Sequence, residues 1–128
     1  MLLNIHHVAI ICSNYPRSKH FYVDLLELPI INETYRESRQ SYKLDLRLPN
    51  GAQLELFSFP NSPERLSYPE ARGLRHIAFT VESISDAKQW LFNKGIDSEE
   101  IRIDEITGKQ FLFFNDPDGL PIELYQNK

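Results

Sequence analysis

One short pattern occurs twice in this chain of 128 residues: PNGAQLEL at positions 49–56 and PDGLPIEL at positions 117–124. Each copy joins a Pro-(Asn/Asp)-Gly turn to a stretch that alternates apolar and polar residues, which predicts a tight turn leading into a β-strand. A second repeated stretch lies upstream of each copy, HVAII at 7–11 and HIAFT at 76–80. The offsets are 68 and 69 residues, so we expect one supersecondary unit that is used twice.

The hydrophobic pattern around these stretches predicts the order β-α-β-β-β in each half. In the first half we expect a helix over 16–27 and strands near 5–12, 31–36, 42–48 and 53–57. In the second half we expect a helix over 86–94, capped by Ser85 and ended at Gly95, and strands near 75–81, 99–104, 110–115 and 120–125. The predicted fold class is α+β, a single domain of two tandem βαβββ modules. The modules cover about 4–60 and 74–126, with a linker at about 61–73, and their curved mixed sheets enclose a cavity with the helices on the outer face.

Composition narrows the class of protein. A formal net charge of −4 and a pI near 5.5 argue against a nucleic-acid partner. Apolar runs are far shorter than the roughly 20 residues of a membrane span, so no membrane partner is expected. The single cysteine, Cys12, cannot form an intrachain disulfide, which fits a cytoplasmic protein. We expect the thiol of Cys12 to be buried and inert, and the partner to be a small molecule.

Strand periodicity places one His and one Glu of each half on the face of the sheet opposite the helix. The apolar neighbours of Glu55 and Glu123 must pack against the helices, which turns both carboxylates to the other face. His7 and His76 fall on that face by the same alternation. Two imidazoles and two carboxylates suit Zn, Ni, Co, Mn or ferrous Fe. We therefore predict one divalent metal ion in the cavity, bound by His7, Glu55, His76 and Glu123.

The same alternation predicts the walls of the cavity. One wall is charged and the other is aromatic; their residues are Lys43, Asp45 and Arg47, and Phe111 and Phe113. These five are the predicted substrate-binding residues. A small polar substrate with an apolar or planar part would suit such walls.

Other basic and imidazole side chains lie outside the predicted metal site. The basic cluster of Arg36, Arg39, Lys43 and Arg47 is either a solvated face or a grip for an anionic substrate. We expect His6 to point away from His7 as a packed or supporting residue. His20, in the first helix, is expected to be a solvated surface residue.

The motifs also carry a family likeness. HVAI at 7–10, the Phe21-Tyr22 pair followed by Leu25, and FNDPDG at 114–119 before IEL at 122–124 resemble the vicinal oxygen chelate superfamily. This superfamily includes glyoxalase I, bleomycin and fosfomycin resistance proteins and extradiol dioxygenases. The likeness covers residues 4–126. FSFP at 57–60 and GLRH at 73–76 are especially similar to small bacterial glyoxalase-I-like proteins of the YaeR type.

The resemblance implies a glyoxalase-I-like lyase or isomerase that acts on a small vicinal-oxygen substrate through a metal-stabilised enediolate. Glu123, or otherwise Glu55, would be the catalytic residue that takes a proton from carbon. A homodimer is also implied, with the metal ligands drawn from one chain or from two. Glutathione-dependent glyoxalase I usually has an Arg four residues after the first metal His and an Asn four residues after the first metal Glu. Here those positions hold Ile11 and Phe59, so the resemblance does not extend to the glutathione contacts.

Two alternatives stay open. An iron-dependent extradiol-type oxygenase of the same fold would use His7, His76 and Glu123 as its facial triad. A non-catalytic protein would use the cavity only to bind a small molecule. One scaffold hosts several chemistries, so the fold does not choose among them.

Overall fold

The computed structural model describes residues 1–128 and divides into two compact units, Met1–Glu64 and Arg65–Lys128. Each unit has the element order β-α-β-β-β and one four-stranded mixed sheet. The predicted fold class, α+β with two tandem βαβββ modules, is therefore confirmed. None of the helices is long and apolar enough to pass through a membrane.

The sheet of unit 1 positions Glu55 near its centre. Its strands are β1 His7–Cys12, β2 Ile30–Arg36, β3 Ser41–Arg47 and β4 Gln53–Ser58, in the order β1-β4-β3-β2. β1 pairs with β4 in parallel, and the other pairs are antiparallel. In this register Glu55 is flanked by Ala9 on β1 and Asp45 on β3. Paired residues share a face of the sheet, so Ala9 lies on the face of Glu55. His7, two positions before Ala9 on the same strand, lies on that face as well.

The helical segment of unit 1 differs from the single α-helix predicted over 16–27. An α-helix, α1, covers only Tyr15–Lys19, and the side chain of Asn14 caps it. His20–Leu25 continues as a π-helix, in which the Leu26 amide donates to the Phe21 carbonyl at 2.9 Å. The wider π turn reduces the angle between successive side chains, and both Phe21 and the next residue, Tyr22, are buried.

The opposite face of the unit 1 sheet forms the core. Leu44 and Leu46 on β3 and Leu54 and Leu56 on β4 are each at most 1% exposed. The predicted alternation is confirmed at these positions. Burial of each side chain stabilises the fold by roughly 2 kcal/mol, which fixes the register and so the direction of Glu55 between two of them.

The sheet of unit 2 repeats this plan. Its strands are β5 Ile77–Val81, β6 Arg102–Ile103, β7 Gln110–Asn115 and β8 Pro121–Gln126, in the order β5-β8-β7-β6. Glu123 is flanked by Ala78 on β5 and Phe113 on β7, the position that Glu55 has in unit 1. β6 has only two residues, because the predicted strand at 99–104 meets β7 in a ladder only at Arg102 and Ile103.

The helix of unit 2, α2, covers Ile84–Asn93 and begins earlier than predicted. Its cap is Ser83, whose hydroxyl accepts a hydrogen bond from the Asp86 amide at 3.2 Å. The prediction of Ser85 as the cap was wrong, because Ser85 lies inside the first turn. The predicted end at Gly95 is confirmed: Gly95 has φ 78°, and the amide after it donates to the Leu91 carbonyl at 2.9 Å.

The two repeated turns place β4 and β8. Gly51 has φ 91° and Gly119 has φ 82°, values that side-chain-bearing residues rarely adopt. A polar side chain braces each turn: Asn50 Oδ1 accepts from the Ala52 amide, and Asp116 Oδ1 accepts from the Leu120 amide. The Pro-(Asn/Asp)-Gly pattern therefore sets where each Glu-bearing strand begins.

Candidate functional site

In unit 2 the structure brings His76 and Glu123 together. His76 directly precedes β5, and its Nε2 lies 3.1 Å from Oε1 of Glu123. The ring of Phe113 meets the imidazole edge to face, with 5.0 Å between centroids. Nη1 of Arg75 lies 3.1 Å from Nδ1 and donates to it, which leaves the proton on Nε2 facing Glu123. A metal ion at this place would replace that proton.

In unit 1 the corresponding pair is His7 and Glu55. Nδ1 of His7 lies 3.5 Å from Oε2 of Glu55, and the Glu55 side chain is only 11% exposed. Lys43 adds a cation on the other side, with Nζ 3.9 Å from Oε1 of Glu55. His6 is exposed and contacts His7, with 2.9 Å between the two Nδ1 atoms. The prediction that His6 points away from His7 was therefore wrong. Of the two roles expected for His6, packed or supporting, the contact with His7 fits the second.

The predicted charged wall lies on the same face as the His7–Glu55 pair. Lys43 Nζ lies 2.9 Å from Oδ1 and 3.2 Å from Oδ2 of Asp45, so both residues are engaged with each other. Arg47 lies at the other end of β3, opposite Gln53, which in turn pairs with His7. Arg47 is exposed and forms no ion pair.

The predicted aromatic wall lies on the face of Glu123. Phe111 and Phe113 meet edge to face at 6.2 Å between centroids, and Tyr125 stacks on Phe111 at 6.4 Å. Arg102 lies over both phenylalanines, its Cζ 4.9 Å and 5.4 Å from the ring centroids. Sequence reasoning missed Arg102 because a two-residue strand has no periodic signal. The available signal was its place in the repeat, since Arg102 occupies the position that Thr34 has in β2.

Tyr125 is fixed at this wall by a loop. Its hydroxyl contacts the Thr107 hydroxyl and donates to Oδ2 of Asp104 at 2.9 Å. The Thr107 hydroxyl acts to lower the pKa of Tyr125, but partial desolvation and the Asp104 carboxylate together raise it. The Ile106 amide and the Tyr125 hydroxyl lower the pKa of Asp104. Tyr125 therefore presents a neutral phenol ring two residues after Glu123.

Ile11 and Phe59 occupy the positions where the glutathione-dependent pattern has polar residues. Ile11 is 55% exposed and pairs with Phe57, so it lies on the same face as Glu55. The rings of Phe57 and Phe59 stack with an interplanar angle of 6°. The guanidinium of Arg36 covers both rings, at 4.9 Å and 5.8 Å from their centroids. An apolar and cationic surface therefore stands at this end of the sheet.

The four predicted metal ligands form two pairs, one within each unit. No group of three or more His, Cys, Asp or Glu side chains is arranged to hold a metal ion. Each pair offers one nitrogen and one carboxylate group, and both lie on the helix-free face of their sheet. His20 pairs instead with Asp24 on the exposed helix surface at 2.8 Å, as expected for a solvated residue. Cys12 is buried, as predicted.

Known proteins match nearly the whole chain. Residues 4–124 match the model of the Glyoxalase/Bleomycin resistance protein/Dioxygenase superfamily. The chain is 60% identical over 126 residues to YwkD of Bacillus subtilis (strain 168), covering 98% of each. It is 52% identical over 125 residues to YaeR of Escherichia coli (strain K12), covering 98% of this chain and 97% of YaeR. The predicted likeness to YaeR-type proteins is confirmed.

A solved structure supports the same relationship. The glyoxalase family protein from Enterococcus faecalis is 48% identical and superposes with a TM-score of 0.90. The match covers 96% of this chain and 97% of that one. The two proteins therefore share the fold and the order of its secondary-structure elements.

Proposed function

Because the chain belongs to the Glyoxalase/Bleomycin resistance protein/Dioxygenase superfamily, we propose that it is a divalent-metal-dependent, glyoxalase-I-like lyase or isomerase. Its substrate is a small molecule with two adjacent oxygen atoms. The observation that carries this proposal is the repeated His–Glu pair, which both units hold at the same place in their sheets. We propose His7, Glu55, His76 and Glu123 as the metal ligands.

The geometry of the pairs supports metal binding. Two ligand atoms that are each about 2.1 Å from one ion lie about 3.0 Å apart at an octahedral edge and about 3.4 Å apart at a tetrahedral edge. The observed separations are 3.1 Å in unit 2 and 3.5 Å in unit 1. The donor set suits Zn, Ni, Co, Mn or Fe. A bound ion would polarise the substrate oxygens and stabilise negative charge that develops on them.

Glu123 is the preferred proton acceptor in this proposal. Its carboxylate contacts His76 and stands beside the ring of Phe113, with no Lys or Arg nitrogen within 4.0 Å. Glu55, by contrast, has the Lys43 ammonium against one oxygen. Glu123 therefore has the more open approach to a substrate carbon, and Glu55 is the second choice.

The residues predicted for the two walls differ in chemistry, which would suit a substrate with unlike ends. Lys43, Asp45 and Arg47 supply charge and hydrogen bonds in unit 1, while Phe111 and Phe113 supply flat apolar surface in unit 2. We propose these five residues as substrate contacts. The single buried Cys12 agrees with a cytoplasmic location, and we expect a homodimer.

The test is reconstitution of metal-free protein with each of the five metals, followed by an assay of methylglyoxal hemithioacetals made with glutathione and with other thiols. We expect metal-dependent turnover. Glu123→Gln should lower kcat by roughly 10² to 10⁴. The control His20→Gln, on the exposed helix surface of unit 1, should leave kcat unchanged. A metal-loaded protein that turns over none of these adducts would count against the proposal.

The same preparations separate the alternatives. Oxygen uptake by the iron-loaded protein with a catechol, insensitive to Glu55→Ala, would favour the oxygenase. A protein that neither binds nor is stabilised by any of the metals would favour simple small-molecule binding.

A further inference from the structure

Two arginines and two phenylalanines of unit 1 form a compact surface, which we call the arginine–phenylalanine platform: Arg36, Arg39, Phe57 and Phe59. The phenylalanine rings are parallel, with centroids 6.0 Å apart. Cζ of Arg36 lies 4.9 Å from the Phe57 centroid, and Cζ of Arg39 lies 5.5 Å from the Phe59 centroid. Both distances allow a cation–π interaction, which holds a guanidinium flat against a ring and leaves its N–H edge free to donate.

The positive charge of the platform is not neutralised by the protein. Neither arginine has a carboxylate within 4.0 Å, and Glu37, which lies between them in sequence, forms no ion pair. Other cations of the chain do have such partners; they are Lys19, Lys43, Arg75 and Arg102. Arg47 and Arg72 also lack a carboxylate partner, but neither lies over an aromatic ring. The combination of an unpaired charge and a stacked ring therefore distinguishes Arg36 and Arg39.

Arg36 also has an unused donor. Its Nη2 donates to the Ser41 hydroxyl at 3.0 Å, which orients the guanidinium. Its Nε is buried and has no hydrogen-bond partner. Buried donors without partners are rare in native proteins, because each one loses its hydration without compensation. A ligand cannot reach this buried Nε unless the side chain moves. The donor open to an added acceptor is Nη1, which is not buried and has no hydrogen-bond partner.

The platform lies on the same sheet face as the His7–Glu55 pair. Phe57 follows Glu55 by two residues on β4, a separation of about 7 Å along a strand. Phe57 pairs with Ile11 on β1 and with Lys43 on β3, both on this face. A molecule long enough to span this separation can therefore contact both Glu55 and the platform.

We propose that the arginine–phenylalanine platform binds an oxyanion group, a carboxylate or phosphate, of the substrate. Planar guanidinium edges match the paired oxygens of such groups. The assignment of this anion to the substrate rests on the proposed function. It narrows the substrate class to vicinal-oxygen compounds that also carry an oxyanion.

Binding can be measured without any metal. Inorganic phosphate is titrated into the metal-free, ¹⁵N-labelled full chain, and the arginine Nε–Hε signals are followed by NMR at constant ionic strength. We expect the Arg36 signal to shift and to saturate. Arg36→Lys and Arg39→Gln should each weaken phosphate binding by about tenfold, and Arg72→Gln, at an exposed arginine of unit 2 without an ion pair, should not. Any of three results would overturn the proposal. These are shifts that do not saturate, shifts that sodium chloride reproduces, and shifts that both platform variants retain.

A kinetic measurement separates this inference from the proposed function. If adducts of an anionic thiol are turned over, Arg36→Lys should raise KM by about tenfold while kcat changes little, and adducts of a neutral thiol should show no such effect. Turnover without saturable phosphate binding would refute the platform alone. Phosphate binding without turnover of any adduct would refute the lyase alone.

Discussion

Nε2 of His76 lies 3.1 Å from Oε1 of Glu123, although 47 residues separate them in the chain. The contact follows from the parallel register of β5 and β8, in which Ala78 pairs with Glu123. The same register in unit 1 pairs Ala9 with Glu55. A repeated sheet topology therefore produces a repeated His–Glu contact, and this repetition is the physical basis for the proposed metal ligands.

Removal of one imidazole should abolish stable metal binding. We expect His76→Ala to lower metal affinity by about 100-fold or more, since loss of a supporting residue alone costs 10- to 100-fold. Metal content after reconstitution, measured by elemental analysis, checks this. His20→Ala, which removes an imidazole from the exposed helix, is the matched control. Equal metal content in both variants would show that His76 is not a ligand.

Lys43 links the two carboxylates of unit 1, since its Nζ contacts Asp45 at 2.9 Å and Glu55 at 3.9 Å. Lys43→Met should leave these carboxylates facing each other without a cation. In metal-free protein we expect unfolding to become easier by about 1 kcal/mol, a lowering of Tm of a few degrees. The Tm increase on adding metal should grow, because a divalent ion then replaces the lost charge.

Thermal unfolding with and without metal measures both effects of this change. Lys109→Met is the control, because Lys109 has no carboxylate partner. A metal-induced Tm increase that is the same in wild type and Lys43→Met would contradict the link between Lys43 and the metal ligand Glu55.

The directions of the site residues were predictable because they depend on local signals. Leu54 and Leu56 must be buried, and period-2 geometry then turns Glu55 to the other face. Likewise the turn residues Gly51 and Gly119 mark the starts of β4 and β8. Such patterns lie within a few residues, so they can be identified without knowledge of distant contacts.

Other features depended on contacts between distant segments and were missed. Arg102 reaches Phe111 and Phe113 from a two-residue strand, which leaves no periodic pattern in the sequence. The stacking of Arg36 on Phe57 depends on the hairpin register of β2, β3 and β4. Sequence patterns predict the face of a strand far better than which long side chains meet across it.

The wrongly predicted cap of α2 can also be tested by mutation. Ser83 and Ser85 are both plausible caps in the sequence, but only the Ser83 hydroxyl accepts from the Asp86 amide. Ser83→Ala should therefore lower the free energy of unfolding by about 1 kcal/mol, while Ser85→Ala should change it by less than about 0.5 kcal/mol. Urea denaturation of both variants measures the difference. A larger loss for Ser85→Ala would contradict the observed cap.

A polar cluster on the helix-bearing side of the unit 1 sheet predicts a pH dependence. Glu33 on β2 accepts hydrogen bonds from the Tyr15 hydroxyl and, at 2.9 Å, from Nζ of Lys19. These bonds lower the pKa of Glu33, with the Tyr15 bond as the largest cause. Burial, and then the bond to Glu33, raises the pKa of Tyr15 well above 10. The ring of Tyr15 also stacks on Tyr42 at 4.3 Å.

The sign of the effect follows from the lowered pKa of Glu33. Its stabilisation is fully present above the unfolded-state value near 4.5 and is lost as pH falls through the lower folded-state pKa. At pH 7 the free energy of unfolding should therefore be higher for wild type than for Glu33→Gln. The difference should be less than about 1 kcal/mol, because the Lys19 and Glu33 side chains are 36% and 34% exposed. The difference should shrink below pH 4.5. Urea denaturation at pH 7 and at pH 3 measures it, with Glu37→Gln, an exposed carboxylate without an ion pair, as the control. A difference that is equal at both pH values would show that the charge of Glu33 does not carry the stabilisation.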